Sequence, residues 1–272
     1  MNFYVLQQYL VNKTPAETEF SYIGDENQRG APHCPACGDC VGSLTRVPPH
    51  AVELEVWHRQ FGDFAFGVSD ALLVSERVKA VCEEHGVVGL LGCDPVEVVR
   101  VKKHKRFNGD PPSYFHVTVM RGPAAVDQQQ SGYQWVKPPT CPHCRLGSAK
   151  RWDRLVLEPN TWSGEDIFIP RGLSATYVVA QRFKDICEQY RVSNAFFIPA
   201  DEYEHDFYPW ENIERARELA AMELSEELVE KIKPNGERWR YYFKRNELVI
   251  IHPDGRLEIN RPLEGVDFWN RQ

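Results

Sequence analysis

The 272 residues hold none of the short motifs that mark the common nucleotide-dependent, hydrolytic or metalloprotease active sites. There is no GxxxxGK[ST], no GxGxxG, no HExxH and no GxSxG, which argues against an enzyme. No apolar run approaches the ~20 residues that a membrane-spanning helix needs. The opening MNFYVLQQYLVNKTPAETEF has neither the basic nor the apolar region of a signal peptide, so a cytoplasmic protein is expected. Cysteine is scarce: eight residues are too few for a disulfide scaffold, and a chain this long can bury a core without one. Positive charge is also short. The net charge of −7 repels polyanions at long range and argues against nucleic acid as the main partner.

What is present is ordinary globular composition, with 42% hydrophobic and 26% charged residues. The order of the parts is more informative, because the chain resembles itself. The pair Cys34-Pro35-Ala36-Cys37 returns as Cys141-Pro142-His143-Cys144, at an offset of 107. ERVKAVCEEHGVVGLL (76–91) returns as QRFKDICEQYRVSNAFF (181–197), where an offset of 105 aligns Arg77 with Arg182, Lys79 with Lys184, Cys82 with Cys187 and Glu83 with Glu188. Two repeats are therefore expected, 1–125 and 126–272, either as two domains or as one integrated domain.

Helical spacing of Val74, Val78, Val81, Cys82 and His85 predicts a helix over 74–85, ended by Gly86. Val178, Phe183, Ile186, Cys187 and Tyr190 predict its partner over 174–190. Cys82 and Cys187 lie on these apolar stripes and read as small buried hydrophobes. Strands are expected at 3–6, 52–57, 87–91, 96–101, 115–120, 155–157 and 195–198. Residues 211–232 look helical. A turn at His252-Pro253-Asp254-Gly255 predicts a hairpin of 247–251 with 256–259. The fold class is α+β: each half carries one cysteine knuckle, one helix and short, mostly antiparallel strands, followed by a C-terminal helix and hairpin.

A two-residue gap lets a tight turn aim two thiolates at one ion, and two such turns complete a tetrahedral shell. Cys34, Cys37, Cys141 and Cys144 are therefore expected to hold one structural Zn2+ that ties the two repeats together. His33, Cys40 and His143 lie close enough in sequence to replace one ligand. The rival reading is a CPHC thiol–disulfide oxidoreductase, which needs a helix starting at the second cysteine. Leu146-Gly147-Ser148 begins no helical pattern.

Two charged segments stand out. Arg100, Lys102, Lys103, Lys105 and Arg106 form a basic run that reads as a solvated turn or, alternatively, as the contact of a nucleic-acid-binding zinc protein. Between 201 and 230 there are eleven acids against two arginines. Asp201, Glu202, Glu204 and Asp206, interleaved with Tyr203, Tyr208 and Trp210, are candidates for contacting a basic protein partner. Aromatics near Trp210 or Trp269 could equally serve a homodimer.

The two motifs CPACG (34–38) and CPHC (141–144), the repeat between them and the blocks Phe168-Ile169-Pro170-Arg171-Gly172-Leu173 and Phe196-Phe197-Ile198-Pro199 carry a resemblance. The chain resembles the double-CxxCG motif paralogous family described from myxobacteria. That resemblance implies a non-enzymatic immunity protein that neutralises a cognate, contact-delivered lipoprotein toxin. Arg145 departs from the family pattern, standing where glycine is expected after the second knuckle.

Overall fold

β-Branched and aromatic residues recur throughout the chain, and the computed structural model is accordingly strand-rich, with two α-helices among the described residues. It describes residues 2–7, 16–24, 28–67 and 71–206, together with the backbone of 228–232, 238–244, 247–251 and 257–260. Two compact units divide the chain, Met1–His205 and Asp206–Gln272.

Up to the end of the first unit the strands are β1 (Phe3–Gln7), β2 (Thr18–Tyr22), β3 (His50–Val56), β4 (Phe64–Phe66), β5 (Leu72–Ser75), β6 (Leu90–Lys103) and β7 (Tyr114–Val119). They continue with β8 (Arg121–Ala125), β9 (Gln134–Lys137), β10 (Ser148–Trp152), β11 (Ile167–Arg171), β12 (Tyr177–Ala180), β13 (Phe196–Pro199) and β14 (His205–Asp206). Helix α1 (Glu76–Glu84) follows β5, and α2 (Gln181–Gln189) follows β12. A closed barrel runs β2-β3-β6-β7-β5-β4. Beside it stand a five-stranded sheet, β13-β1-β12-β11-β8, and a three-stranded one, β14-β10-β9. Pairing is mostly antiparallel; β2–β4, β3–β6 and β8–β11 are parallel.

Strand alternation explains how these layers pack. In β3, Val52, Leu54 and Val56 point into the barrel and join Phe20, Ala65, Leu73 and Tyr114. The opposite faces of β4, β5 and β7 contribute Phe64, Leu72, Val74, Val117 and Val119 to a second core, which Leu6, Ile167, Ile169 and Val179 of the five-stranded sheet complete. That sheet's other face carries Val5, Phe168 and Val178 into a third core with Trp152, Leu155 and Tyr203. β5 and β12 are therefore buried on both faces, which is why LLVS and YVVA read as continuous apolar runs.

The two helices correspond residue by residue at the 105 offset, and their ends touch: His85 Nε2 lies 2.9 Å from the Tyr190 hydroxyl. Both helices end in the same motif, with the N–H groups of Gly86 and Arg191 bonded to Glu83 and Glu188, and those of Val87 and Val192 to Cys82 and Cys187. Gly86 (φ 57°) and Arg191 (φ 50°) both take the left-handed conformation this requires. Arg77 pairs with Asp63 and donates to the Tyr190 carbonyl, while Arg182 pairs with Asp166 and donates to the His85 carbonyl. Asp63 accepts from the Ser193 N–H and Asp166 from the Val88 N–H, both at 2.8 Å. Each arginine thus braces the end of the other helix.

Several boundaries differ from the sequence expectation. The apolar run 174–190 is helical only from Gln181; Tyr177–Ala180 is strand β12. The expected strands 87–91 and 96–101 belong to one long β6 starting at Leu90, and Val87–Gly89 form its approach. Residues 155–157 make only the isolated bridge Val126↔Leu157. In the second unit β15 (Leu228–Ile232), β16 (Arg238–Lys244), β17 (Glu247–Ile251) and β18 (Leu257–Asn260) form an antiparallel meander. The expected hairpin is β17–β18, with Ile251 opposite Leu257. The end of the expected helix 211–232 is instead strand β15, and 211–227 lie outside the described residues.

Candidate metal centre

Each C-P-x-C segment is a turn closed by a bond back to its first cysteine. The Gly38 N–H donates to the Cys34 carbonyl, and the Arg145 N–H to the Cys141 carbonyl, both at 2.9 Å. The closing residues have φ of 78° and 58°, so Arg145 takes the same left-handed conformation as glycine. An L-residue there costs ~1–2 kcal/mol, and the side chain's partners offset it. Arg145 pairs with Glu158 at 2.8 Å and reaches the carbonyls of Pro142 and Val126, while Gln128 donates to its own carbonyl at 2.7 Å. The second turn therefore keeps the shape of the first.

The four sulfurs converge. Cys34 Sγ lies 3.9 Å from Cys141 Sγ and Cys37 Sγ 3.8 Å from Cys144 Sγ. All four lie within 4.8 Å of one another. Four sulfurs about 2.3 Å from a central zinc would stand about 3.8 Å apart, so the observed spacing suits a tetrahedral thiolate shell. Cys34, Cys141 and Cys144 are buried with Val41 and Leu146 packed on them, and Cys37 is on the outer side. The backbone N–H groups of Cys144 and His143 hold the Cys141 thiol down to about 7 against the effect of burial. Burial pushes Cys34 up, yet bonds from the backbone of Ala36 and Cys37 outweigh it and keep this thiol below its ordinary value. In each turn backbone N–H groups are thus aimed at the first cysteine's sulfur, where they favour the negative charge that a metal-ligating thiolate carries.

Two of the sequence neighbours that could have replaced a ligand are engaged elsewhere. His33 Nδ1 faces the Gly38 carbonyl at 2.7 Å, and the exposed Cys40 donates to the Gly42 carbonyl at 2.9 Å. Neither they nor His143 joins the sulfur cluster. Beyond Cys144 the chain enters β10 without forming a helix, so no helix terminus activates the CPHC thiols. Cys187 is 4% exposed and Cys82 packs against the same core. Burial raises both, Cys82 to about 12, as expected of inert core thiols.

The charged segments sort differently. Arg100 pairs with Glu53, and Lys102 with Glu55 at 3.0 Å, so β3 neutralises part of the basic run. Lys103 lies 4.3 Å from the Phe107 ring centre and donates to the Gly109 carbonyl; Lys105 and Arg106 remain exposed. Asp201, Glu202 and Glu204 are exposed, on and just after a turn of 3-10 helix. Tyr203, expected as a surface anchor, is instead buried at 7% exposure in the third core, where its hydroxyl accepts from Gln7 Nε2. The side chain of Asp206, and Tyr208, Trp210 and Trp269 entirely, lie outside the described residues.

A second cluster went unread in the sequence. His50, Asp94 and His116 bring their ligand atoms within 4.8 Å of one another. Their positions are far apart along the chain, and only strand register unites them.

The Immunity protein family (Imm11) model matches residues 8–202, which contain both cysteine turns and both helices. The chain belongs to this family. No curated protein matches it at a significant level. Immunity protein families generally act on a toxin partner and are generally non-enzymatic.

Proposed function

We propose that this chain is a cytoplasmic immunity protein that binds and neutralises one cognate toxin. The family match over residues 8–202 carries the reading. The acidic balance and the resemblance of the paired CPxC motifs to the double-CxxCG family point the same way. In this reading the toxin is one delivered by cell contact, and binding alone gives protection.

Structural Zn2+ on Cys34, Cys37, Cys141 and Cys144 joins two halves derived from an internal duplication. Support comes from the sulfur spacing, the shared turn geometry at the 107 offset and the reciprocal contacts of the helices at the 105 offset. A shell of four thiolates leaves no open position, so the metal braces and does not catalyse. The surface offered to the toxin is the exposed acidic turn Asp201, Glu202 and Glu204.

The deciding experiment expresses the protein encoded beside this gene, alone and together with this chain, and counts viable cells. Restored growth, with a co-purifying complex, is expected. Killing that this chain leaves unchanged would overturn the assignment.

A further inference from the structure

Inside the barrel, inward-facing positions are apolar along most of its length and polar at one end. On β3, His50 shares its face with Val52, Leu54 and Val56; on β7, His116 shares its face with Tyr114. Asp94 stands directly opposite His116 in the β6–β7 pairing, on the face of Val96, which pairs with His50. Three adjacent strands thus bring two buried imidazoles and the half-exposed Asp94 carboxylate together at one end of the barrel, and Tyr22 of β2 lies over both rings at about 6 Å.

The local chemistry calls for a cation. The two imidazole rings lie 4.4 Å apart at 34°. His50 is 3% exposed, and its Nε2 has no hydrogen-bond partner, the nearest carboxylate oxygen of Asp94 being 3.6 Å away. A buried nitrogen left in that state costs ~1–3 kcal/mol. Burial lowers the basicity of both imidazoles, and a neutral imidazole keeps one nitrogen lone pair that a metal can take. Two neutral imidazoles and one carboxylate are the donors that borderline divalent ions such as Zn2+ prefer, and three protein ligands leave a coordination position open. His116 also lines, with Tyr22, Thr45 and Arg46, a cavity of about 450 Å³.

We propose that His50, Asp94 and His116 form a second site for a divalent transition metal, Zn2+ first among them, separate from the four cysteines. Unlike the thiolate shell, it leaves a coordination position for a further small ligand or water.

Metal stoichiometry tests this. The full chain, saturated with Zn2+ and desalted, should hold two ions, falling to one in Asp94→Asn and in His116→Asn. A Cys34→Ser/Cys37→Ser variant should likewise hold one, at the barrel end. Wild-type protein that retains a single zinc, lost with the cysteines and indifferent to Asp94→Asn, would overturn the proposal. Cobalt(II) gives a second readout that needs no variant. One equivalent should fill the thiolate shell with an intense sulfur-to-metal charge-transfer band, and a second should add only weak ligand-field absorption. Saturation of every absorbance change at one equivalent counts against the site.

Discussion

At the residue scale, the knuckle cysteines carry the sharpest expectation. Replacing Cys141 with serine should release the proposed zinc and leave three ligands facing one another around an incomplete shell. Structural zinc contributes folding energy directly, so a loss of several kcal/mol is expected, seen as a lower Tm beside a metal assay. The unmutated chain should show a similar fall on treatment with a strong chelator. Arg145 offers a finer test. Arg145→Ala keeps the left-handed backbone but loses the Glu158 pair and the bonds to Pro142 and Val126. It should cost about 1–2 kcal/mol by denaturant unfolding. Arg145→Gly loses the same contacts but relieves the strain, and should be the milder of the two.

At the element scale, the helix ends are held by carboxylates that accept from both halves. Burial pushes Asp63 up, but Arg77, Ser193 and Ser75 outweigh it and hold the carboxyl below its ordinary value of 3.8. A depressed folded pKa means that this stabilisation is complete above the ordinary value and is lost as pH falls through the folded one. Asp63→Asn should therefore destabilise the protein by about 3 kcal/mol at neutral pH. It should also flatten the acid limb of stability below pH ~4, measured by denaturant midpoints across pH. Gly89 marks a second constraint of this kind. Its φ is 114°, and an added Cβ would meet the Ile167 carbonyl oxygen at 1.8 Å. Gly89→Ala should force the start of β6 away from β11 and lower Tm more than a surface change would.

At the scale of the whole molecule, the acidic surface and the basic run make opposite predictions. Reversing Asp201, Glu202 and Glu204 to lysine should weaken toxin binding at least about tenfold, mostly through association rate at low salt. Unchanged affinity in a titration would move the interface elsewhere and leave the immunity assignment standing. For the basic run, Arg100 and Lys102 already have carboxylate partners, so the chain should show no steeply salt-dependent binding to DNA or RNA.

The sequence by itself determined what depends on local spacing. The C-P-x-C pairs declared themselves because two ligands on one turn need adjacent positions. The repeated helices did so through their 105-residue self-match, and the pairing of β17 with β18 through the Pro-Asp-Gly signal between them. Burial on both faces hid β12, since an apolar run suits a strand or a helix equally until its neighbours are known. Tyr203 was misplaced for a related reason: acidic neighbours in sequence do not say which way one ring points. Only the tertiary structure decided the convergence of four sulfurs, the bracing of each helix end by the other half's arginine, and the meeting of His50, Asp94 and His116. Those contacts depend on register and barrel closure, which bring together residues that no sequence window contains.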